Sequence, residues 1–403
     1  KAAMSDSLGS GDGDATPDQG SLYARWAAGG VGLSIVGEVQ VLPDCPEKPG
    51  NLVLHEGSDW EALSKLTAAA NAHGSQLWAQ LGHAGALAHA PVSCAKGPSA
   101  LDLEGLKCGA LTAEEVAALP EAYALAASRA RACGFSGVEV HAGHGFLLSQ
   151  FLSPLFNRRG DGYGGGVEGR SRLLLEVVAA VRAAVGPSFP VGVKLNSSDG
   201  LQGGLTASDS LEVVALLDRT RVDLVDVSGG TYFPGAKSAS EGAGTGGGYF
   251  TAFARAARAR TSKPLMVTGG FKRRADAAAA VASGAADVIG LARALVIDPA
   301  LPRAWLAPGG EGVDPTFPRF APPLPEGGVT AWYSMRLTDL ARGQEQGPGT
   351  GLEVGPTAGR EGGKERAQGE VAEALAAYEA RDAERCARWR AKFGGPEARG
   401  AGE

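Results

Sequence analysis

The 403-residue chain carries 61 glycines and 23 prolines, 44% hydrophobic residues and a formal net charge of -6. Glycine and proline stay below the roughly 25–30% that marks low-complexity disorder, and the glycines keep no three-residue period, which excludes collagen. No uncharged apolar run approaches the ~18 residues of a membrane span, and an acidic chain without a strong basic patch excludes a nucleic-acid partner.

The first helix signal is Thr16-Pro17-Asp18-Gln19, which sets an N-cap, a proline at N1 and a capping-box glutamine in series. Short β-branched runs then recur at residues 32–41, 76–82, 137–141, 191–196, 224–228, 264–268 and 288–291, with alanine- and leucine-rich helical stretches between them. Ser58-Asp-Trp-Glu61, Thr112-Ala-Glu-Glu115 and Thr206-Ala-Ser-Asp209 mark helix starts by the same capping logic. Strands alternating with helices imply right-handed βαβ units and a parallel sheet. An eighth strand is needed to close a barrel. The opening Lys1-Ala-Ala-Met4 is read as the last residues of a first strand truncated at the N-terminus. The expected fold is therefore α/β, a (β/α)8 TIM barrel. A doubly wound open sheet would bring a glycine fingerprint after its first strand, and none is there.

The pattern stops near residue 310, so residues 1–310 are expected to form the barrel. Trp332, Tyr333, Leu337 and Leu340 share one helical face, which makes residues 311–340 a segment covering it. Residues 341–370, dense in glycine and proline, read as a flexible linker, and residues 371–403 as a C-terminal helix and tail. The mixed charges of that helix predict a solvated surface. The five cysteines (Cys45, Cys94, Cys108, Cys133, Cys386) are odd in number and form no Cys-x-x-Cys pair. They are expected to be free thiols of an intracellular reducing compartment, by default the cytoplasm.

In a parallel barrel, functional groups gather at the carboxyl ends of the strands. Those positions hold Gln80 and His83, His141 and His144, Lys194 and Asn196, then Ser228-Gly-Gly-Thr-Tyr232. The last two strands end in Thr268-Gly269-Gly270 and Gly290-Leu-Ala292-Arg293. Paired glycine turns with an arginine after the final strands suit a phosphate, because backbone N–H groups converge on the anion unobstructed. Paired histidines are also common metal ligands, but further carboxylate or histidine ligands are not evident at neighbouring strand ends, so no metal is expected.

The segment His141-Ala-Gly-His-Gly-Phe-Leu-Leu-Ser-Gln-Phe-Leu-Ser-Pro154, followed by Asn157-Arg-Arg-Gly-Asp161-Gly-Tyr-Gly-Gly165 and Arg170-Ser-Arg172, resembles the old yellow enzyme family of FMN-dependent NADH:flavin oxidoreductases. The resemblance runs from Lys1-Ala-Ala-Met-Ser5 to Ile289-Gly-Leu-Ala-Arg293, about three quarters of the chain. It implies FMN as cofactor, NADH or NADPH as reductant and a small electrophilic acceptor such as an α,β-unsaturated carbonyl, or oxygen. By the same resemblance Ala2, Ala3, Met4 and Ser5 line the flavin ring, Gln80 bonds its pyrimidine edge and Lys194 sits by N1 and the C2 oxygen. Gly269, Gly270, Gly290, Ala292 and Arg293 hold the phosphate, and His141 and His144 donate hydrogen bonds to the acceptor oxygen.

Phe146 departs from the motif, which usually carries a tyrosine whose hydroxyl protonates the acceptor. Phenylalanine keeps the ring and loses the proton. Either Tyr232, Tyr249 or water substitutes, or alkene reduction is weak. Phe146 and Tyr232 are accordingly read as substrate-facing. Gly166 and Gly169 replace the usual serine and asparagine of a neighbouring loop, and residues 242–248 form a glycine-rich loop read as a mobile lid. Two other functions stay open on the residues: a flavin-binding barrel weakened in catalysis, and a metal-dependent barrel hydrolase built on His141 and His144.

Overall fold

The computed structural model describes residues 1–234, 236, 248–310, 313–318, 320, 323–344 and 361–396. In chain order the strands are β1 Leu33–Gln40, β2 Leu52–Val53, β3 Gln76–Gly82, β4 Lys96–Gly97, β5 Leu101–Leu103, β6 Leu106–Ala110, β7 Gly137–Ala142, β8 Val191–Asn196, β9 Leu224–Ser228, β10 Leu265–Thr268 and β11 Val288–Gly290. The helices are α1 Pro17–Ala28, α2 Trp60–Ala70, α3 Ala113–Ala132, α4 Leu147–Leu152, α5 Val167–Val185, α6 Ala207–Asp218, α7 Thr251–Arg258, α8 Arg274–Ala282, α9 Arg293–Ile297, α10 Leu301–Leu306, α11 Gly328–Ala341 and α12 Glu361–Phe393.

The principal sheet runs β11-β10-β9-β8-β7-β3-β1-β2 and is parallel throughout. Its two open sides are joined by the opening residues. Ala2 N–H donates to Leu291 O at 2.8 Å, Ile35 N–H donates to Lys1 O at 3.0 Å, and Ser5 bridges Gly37 in parallel. Lys1 to Ser5 thus fills the first strand's place and closes the (β/α)8 ring. A second, three-stranded sheet, β4-β6-β5, lies on the excursion between β3 and α3.

Local chemistry sets the helix starts. Thr16 with Gln19, Thr112 with Glu115 and Thr206 with Asp209 each close a reciprocal capping box. The expected cap at Ser58 is displaced by one residue. Asp59 caps α2 by accepting from Ala62 N–H, while the Ser58 hydroxyl donates to Val53 O. The helix layer is buried against the sheet in one continuous core that includes Trp26, Leu63, Tyr123, Val177 and Val214. In α11, Trp332, Tyr333, Leu337 and Leu340 all face that core.

The C-terminal helix corrects the expectation of a solvated surface. Val371, Tyr378, Asp382, Arg385, Cys386 and Trp389 are buried on one stripe of α12. Buried Arg385 donates to Ser7 O, and on the exposed flank Arg388 donates to Ser10 O and Arg390 to Pro91 O. Lys392 pairs with Asp14 at 2.6 Å. α12 thereby clasps the segment that leads out of the first strand's place. Residues 345–360 of the expected linker and 242–247 of the expected lid lie outside the described residues. All five cysteines are free. Among the described residues, no helix is long and apolar enough to cross a membrane.

Candidate active site

Register decides which polar residues meet inside the barrel mouth. Gln80 on β3 pairs with Glu139 on β7, His141 on β7 with Lys194 on β8, and Lys194 with Asp226 on β9. Gln80 Nε2 donates to Glu139 Oε2 at 2.6 Å. Lys194 Nζ forms a buried ion pair with Asp226 and lies 4.0 Å from Glu139. Thr268 on β10 completes the layer by donating to Asp226 Oδ1 at 2.7 Å. Burial opposes the Lys194 charge, but Asp226 and Glu139 more than offset it and its pKa is raised. Burial pushes Glu139 up to about 7, against the pull of Lys194. Lys194 is therefore a cation fixed in place, and Glu139, Asp226 and Thr268 are the partners that sequence reasoning missed.

His141 and His144 stand edge-to-face with ring centroids 5.1 Å apart. Gly143 N–H donates to His141 Nδ1 at 3.3 Å, so the neutral ring carries its proton on Nε2. His144 adopts a positive φ of 58°, a conformation that non-glycine residues seldom take. Three contacts hold it there: its N–H donates to Asn196 Oδ1 at 2.9 Å, its carbonyl accepts from Tyr232 N–H at 3.1 Å, and its Nε2 lies 3.0 Å from Ser228 Oγ. Burial drives both imidazoles toward the neutral form, with Lys194 acting in the same direction; His144 is lowered to about 3 and His141 well below its usual value.

Phe146 is buried 5.2 Å from the His141 ring. Tyr232 stands across from it, 5.8 Å from Phe146 and 6.0 Å from His144, with 67% of its surface exposed. Tyr249 is elsewhere, its ring against Gly270. His83 is buried and accepts from Gly85 N–H, a contact that ties its own loop.

A carboxyl cluster not anticipated from the sequence adjoins the histidines. Glu38 Oε1 lies 3.4 Å from His141 Nε2, with both side chains buried. Gln40 Nε2 donates to Glu38 Oε2 at 3.0 Å and to Asn51 Oδ1 at 3.3 Å. Asn51 Nδ2 in turn donates to Ser5 Oγ at 3.2 Å and Glu47 Oε2 at 3.3 Å, and Ser5 Oγ donates to the same Glu47 oxygen at 2.9 Å. Burial raises both carboxyl groups, and the charge of Glu47 lifts Glu38 further. Only the alternation of β1 signals this cluster, since Glu38 and Gln40 share one strand face.

At the far end, Gly269 and Gly270 have φ of +126° and +84°. A side chain at Gly270 would strike the Tyr249 ring at 2.5 Å, so only glycine fits this turn. Arg293 opens α9 beyond Gly290 and Ala292; its guanidinium lies 5.9 Å from the Tyr333 ring and pairs with no carboxylate among the described residues. No group of three potential metal ligands converges among the described residues.

The family model for NADH:flavin oxidoreductase / NADH oxidase matches residues 2–305. The chain belongs to this family. It is 35% identical to an NADH-dependent flavin oxidoreductase of Neonectria sp. over 82% of this chain and 47% of that protein, so it spans about half the length of that relative. An NADPH dehydrogenase of Halalkalibacterium halodurans is 32% identical, with 72% of this chain and 84% of the relative covered. Morphinone reductase superposes with a TM-score of 0.66 at 25% identity, covering 79% of this chain and 87% of that structure.

FMN is the cofactor of the family, with NADH or NADPH as its reductant. The residues present fit it. Arg293, which pairs with no carboxylate among the described residues, suits the phosphate beside glycine turns, Lys194 keeps ammonium protons beyond its Asp226 contact, and Gln80 Oε1 lies near the chain at Gly37. Family membership disfavours the metal-hydrolase reading.

Proposed function

We propose that this chain is an NAD(P)H oxidoreductase that reduces small acceptors bearing a carbonyl conjugated to an alkene. Bound FMN supplies the chemistry of taking hydride from the nicotinamide and giving it to an electrophilic carbon. Arg293 and the N–H groups of Gly269, Gly270 and Gly290 would hold its phosphate. Ala2 to Ser5, Gln80 and Lys194 would hold its ring, with the buried Lys194 charge favouring the electron-rich form.

The observation that carries the reading is the neutral pair His141 and His144, edge-to-face at 5.1 Å. Two adjacent uncharged imidazoles can stabilise a developing enolate oxygen by hydrogen-bond donation. Phe146 cannot protonate the α-carbon. Tyr232 brings a phenol ring within 5.8 Å of Phe146 and 6.0 Å of His144, and we assign proton delivery to it; the position of Tyr249 against Gly270 supports this choice.

The test is spectroscopic and kinetic. FMN-loaded protein should absorb near ~450 nm, bleach with NADPH or NADH without oxygen, and recover colour on addition of 2-cyclohexen-1-one. Recovery should slow by about tenfold or more in Tyr232→Phe and quicken in Phe146→Tyr. A protein that takes up no FMN, or bleaches and recovers only with oxygen, would overturn the assignment. Equal recovery in wild type and Tyr232→Phe would remove Tyr232 from its role.

A further inference from the structure

His141 has one proton to offer. Its Nδ1 is occupied as an acceptor for Gly143 N–H at 3.3 Å, so Nε2–H is the only donor the neutral ring can present to an acceptor oxygen. That same Nε2 already faces Glu38 Oε1 at 3.4 Å, inside a pocket where both side chains are at most 4% exposed. Glu38 is held at that position from its other oxygen by Gln40 Nε2, and Gln40 is itself anchored to Asn51. A bound carbonyl and Glu38 must therefore share or contest a single N–H.

We infer that Glu38 is a positioning residue that governs whether His141 is available to the acceptor: as a neutral acid it yields the N–H, and as a carboxylate it keeps it. A hydrogen bond to an ionised oxygen is about twice as strong as one to a neutral oxygen. The ionised form would also set a negative charge beside the oxygen on which enolate charge develops. Both effects disfavour acceptors once Glu38 ionises.

The groups around Glu38 fix the direction of the pH response. Glu47, from the loop after β1, carries like charge and resists its ionisation. Tyr123 of α3 is fully buried and stays protonated, its pKa raised by burial and by the Glu38 charge. Tyr232 beyond β9 feels the same charge. His141 and His144 stay neutral above their lowered values, and Lys194 remains paired to Asp226. Glu38 lies well above the ordinary carboxyl range, so its ionisation falls on the alkaline side of that range, where the imidazoles do not titrate.

The inference rests on the acceptor reading of the histidine pair and is tested separately from it. Binding of cyclohexanone, a ketone with no alkene to reduce, is titrated by calorimetry against FMN-loaded wild type, Glu38→Gln and Glu38→Asp between about pH 5 and about pH 9. Affinity in wild type should fall by about tenfold across the range. The fall should vanish in Glu38→Gln, which cannot ionise, and return in Glu38→Asp. In wild type, the His141 Nε2 resonance should shift over the same pH interval, a readout that needs no variant to fold. A slope kept in Glu38→Gln, or a flat wild-type profile with an unmoved resonance, overturns the role of Glu38. Bleaching by NADPH in the same samples reports on the oxidoreductase reading alone, so each failure is recognised by itself.

Discussion

Lys194 and His141 are register partners on adjacent strands and equally buried, yet one is a cation and the other is neutral. Depth does not separate them. Lys194 has Asp226 against its ammonium and Glu139 at 4.0 Å, and these hold the charge in place. His141 has a backbone N–H on one nitrogen and, on the other, Glu38, whose own pKa burial raises. The buried Lys194 charge is kept because a carboxyl partner touches it directly. The mouth is thereby divided into a cationic half suited to an electron-rich cofactor and an uncharged half suited to a carbonyl.

Removing the cation should have the largest effect. Lys194→Met leaves Asp226 buried without its partner and should cost about 3–5 kcal/mol in urea unfolding of the apoprotein. A loss below about 1 kcal/mol would mean that the ion pair does not hold this half together. On the uncharged half, His144→Ala should slow acceptor reduction by about 10²–10³-fold, the usual result of losing one oxyanion donor, measured by stopped-flow flavin reoxidation. Ser228→Ala, which removes only the contact to the His144 ring, should slow the same step by less than about tenfold.

A smaller effect follows from linkage. The unfolded chain protonates His144 near its ordinary value of 6.5, whereas the folded chain does so only near about 3. Between these values the unfolded state binds the extra proton, so acid weakens the wild type. His144→Gln should therefore gain stability relative to wild type as pH falls from 6.5 toward 3, read from paired denaturant curves. Parallel curves would show that His144 is not buried neutral, and the contrast with Lys194 would lose one of its sides.

The features legible in the sequence are those made by neighbours along the chain. Capping boxes at Thr16, Thr112 and Thr206, the strand cores, and the histidine segment from His141 onward each depend on a few consecutive residues. What register creates was hidden. Glu139 and Asp226 are far from Lys194 along the chain, and only the register of β7, β8 and β9 brings them to it. Glu38 meets His141 across strands, a contact that no run of consecutive residues signals. The docking of α12 had a visible signal, buried positions at helical spacing from Val371 to Trp389, but the flanking charges masked it. Those charges turned out to serve carbonyls at Ser7, Ser10 and Pro91, a pairing that sequence distance concealed.

The seam between Ala2 and Leu291 also has a consequence in time. At about 5–20 residues per second, a ribosome that has made the opening strand needs about 15–60 s more to deliver its second neighbour. During that interval the strand has β1 on one flank only. The nascent ring must wait open, and such distant pairing folds slowly. A chaperone that shields this one edge would therefore act before the ring and its mouth can take shape.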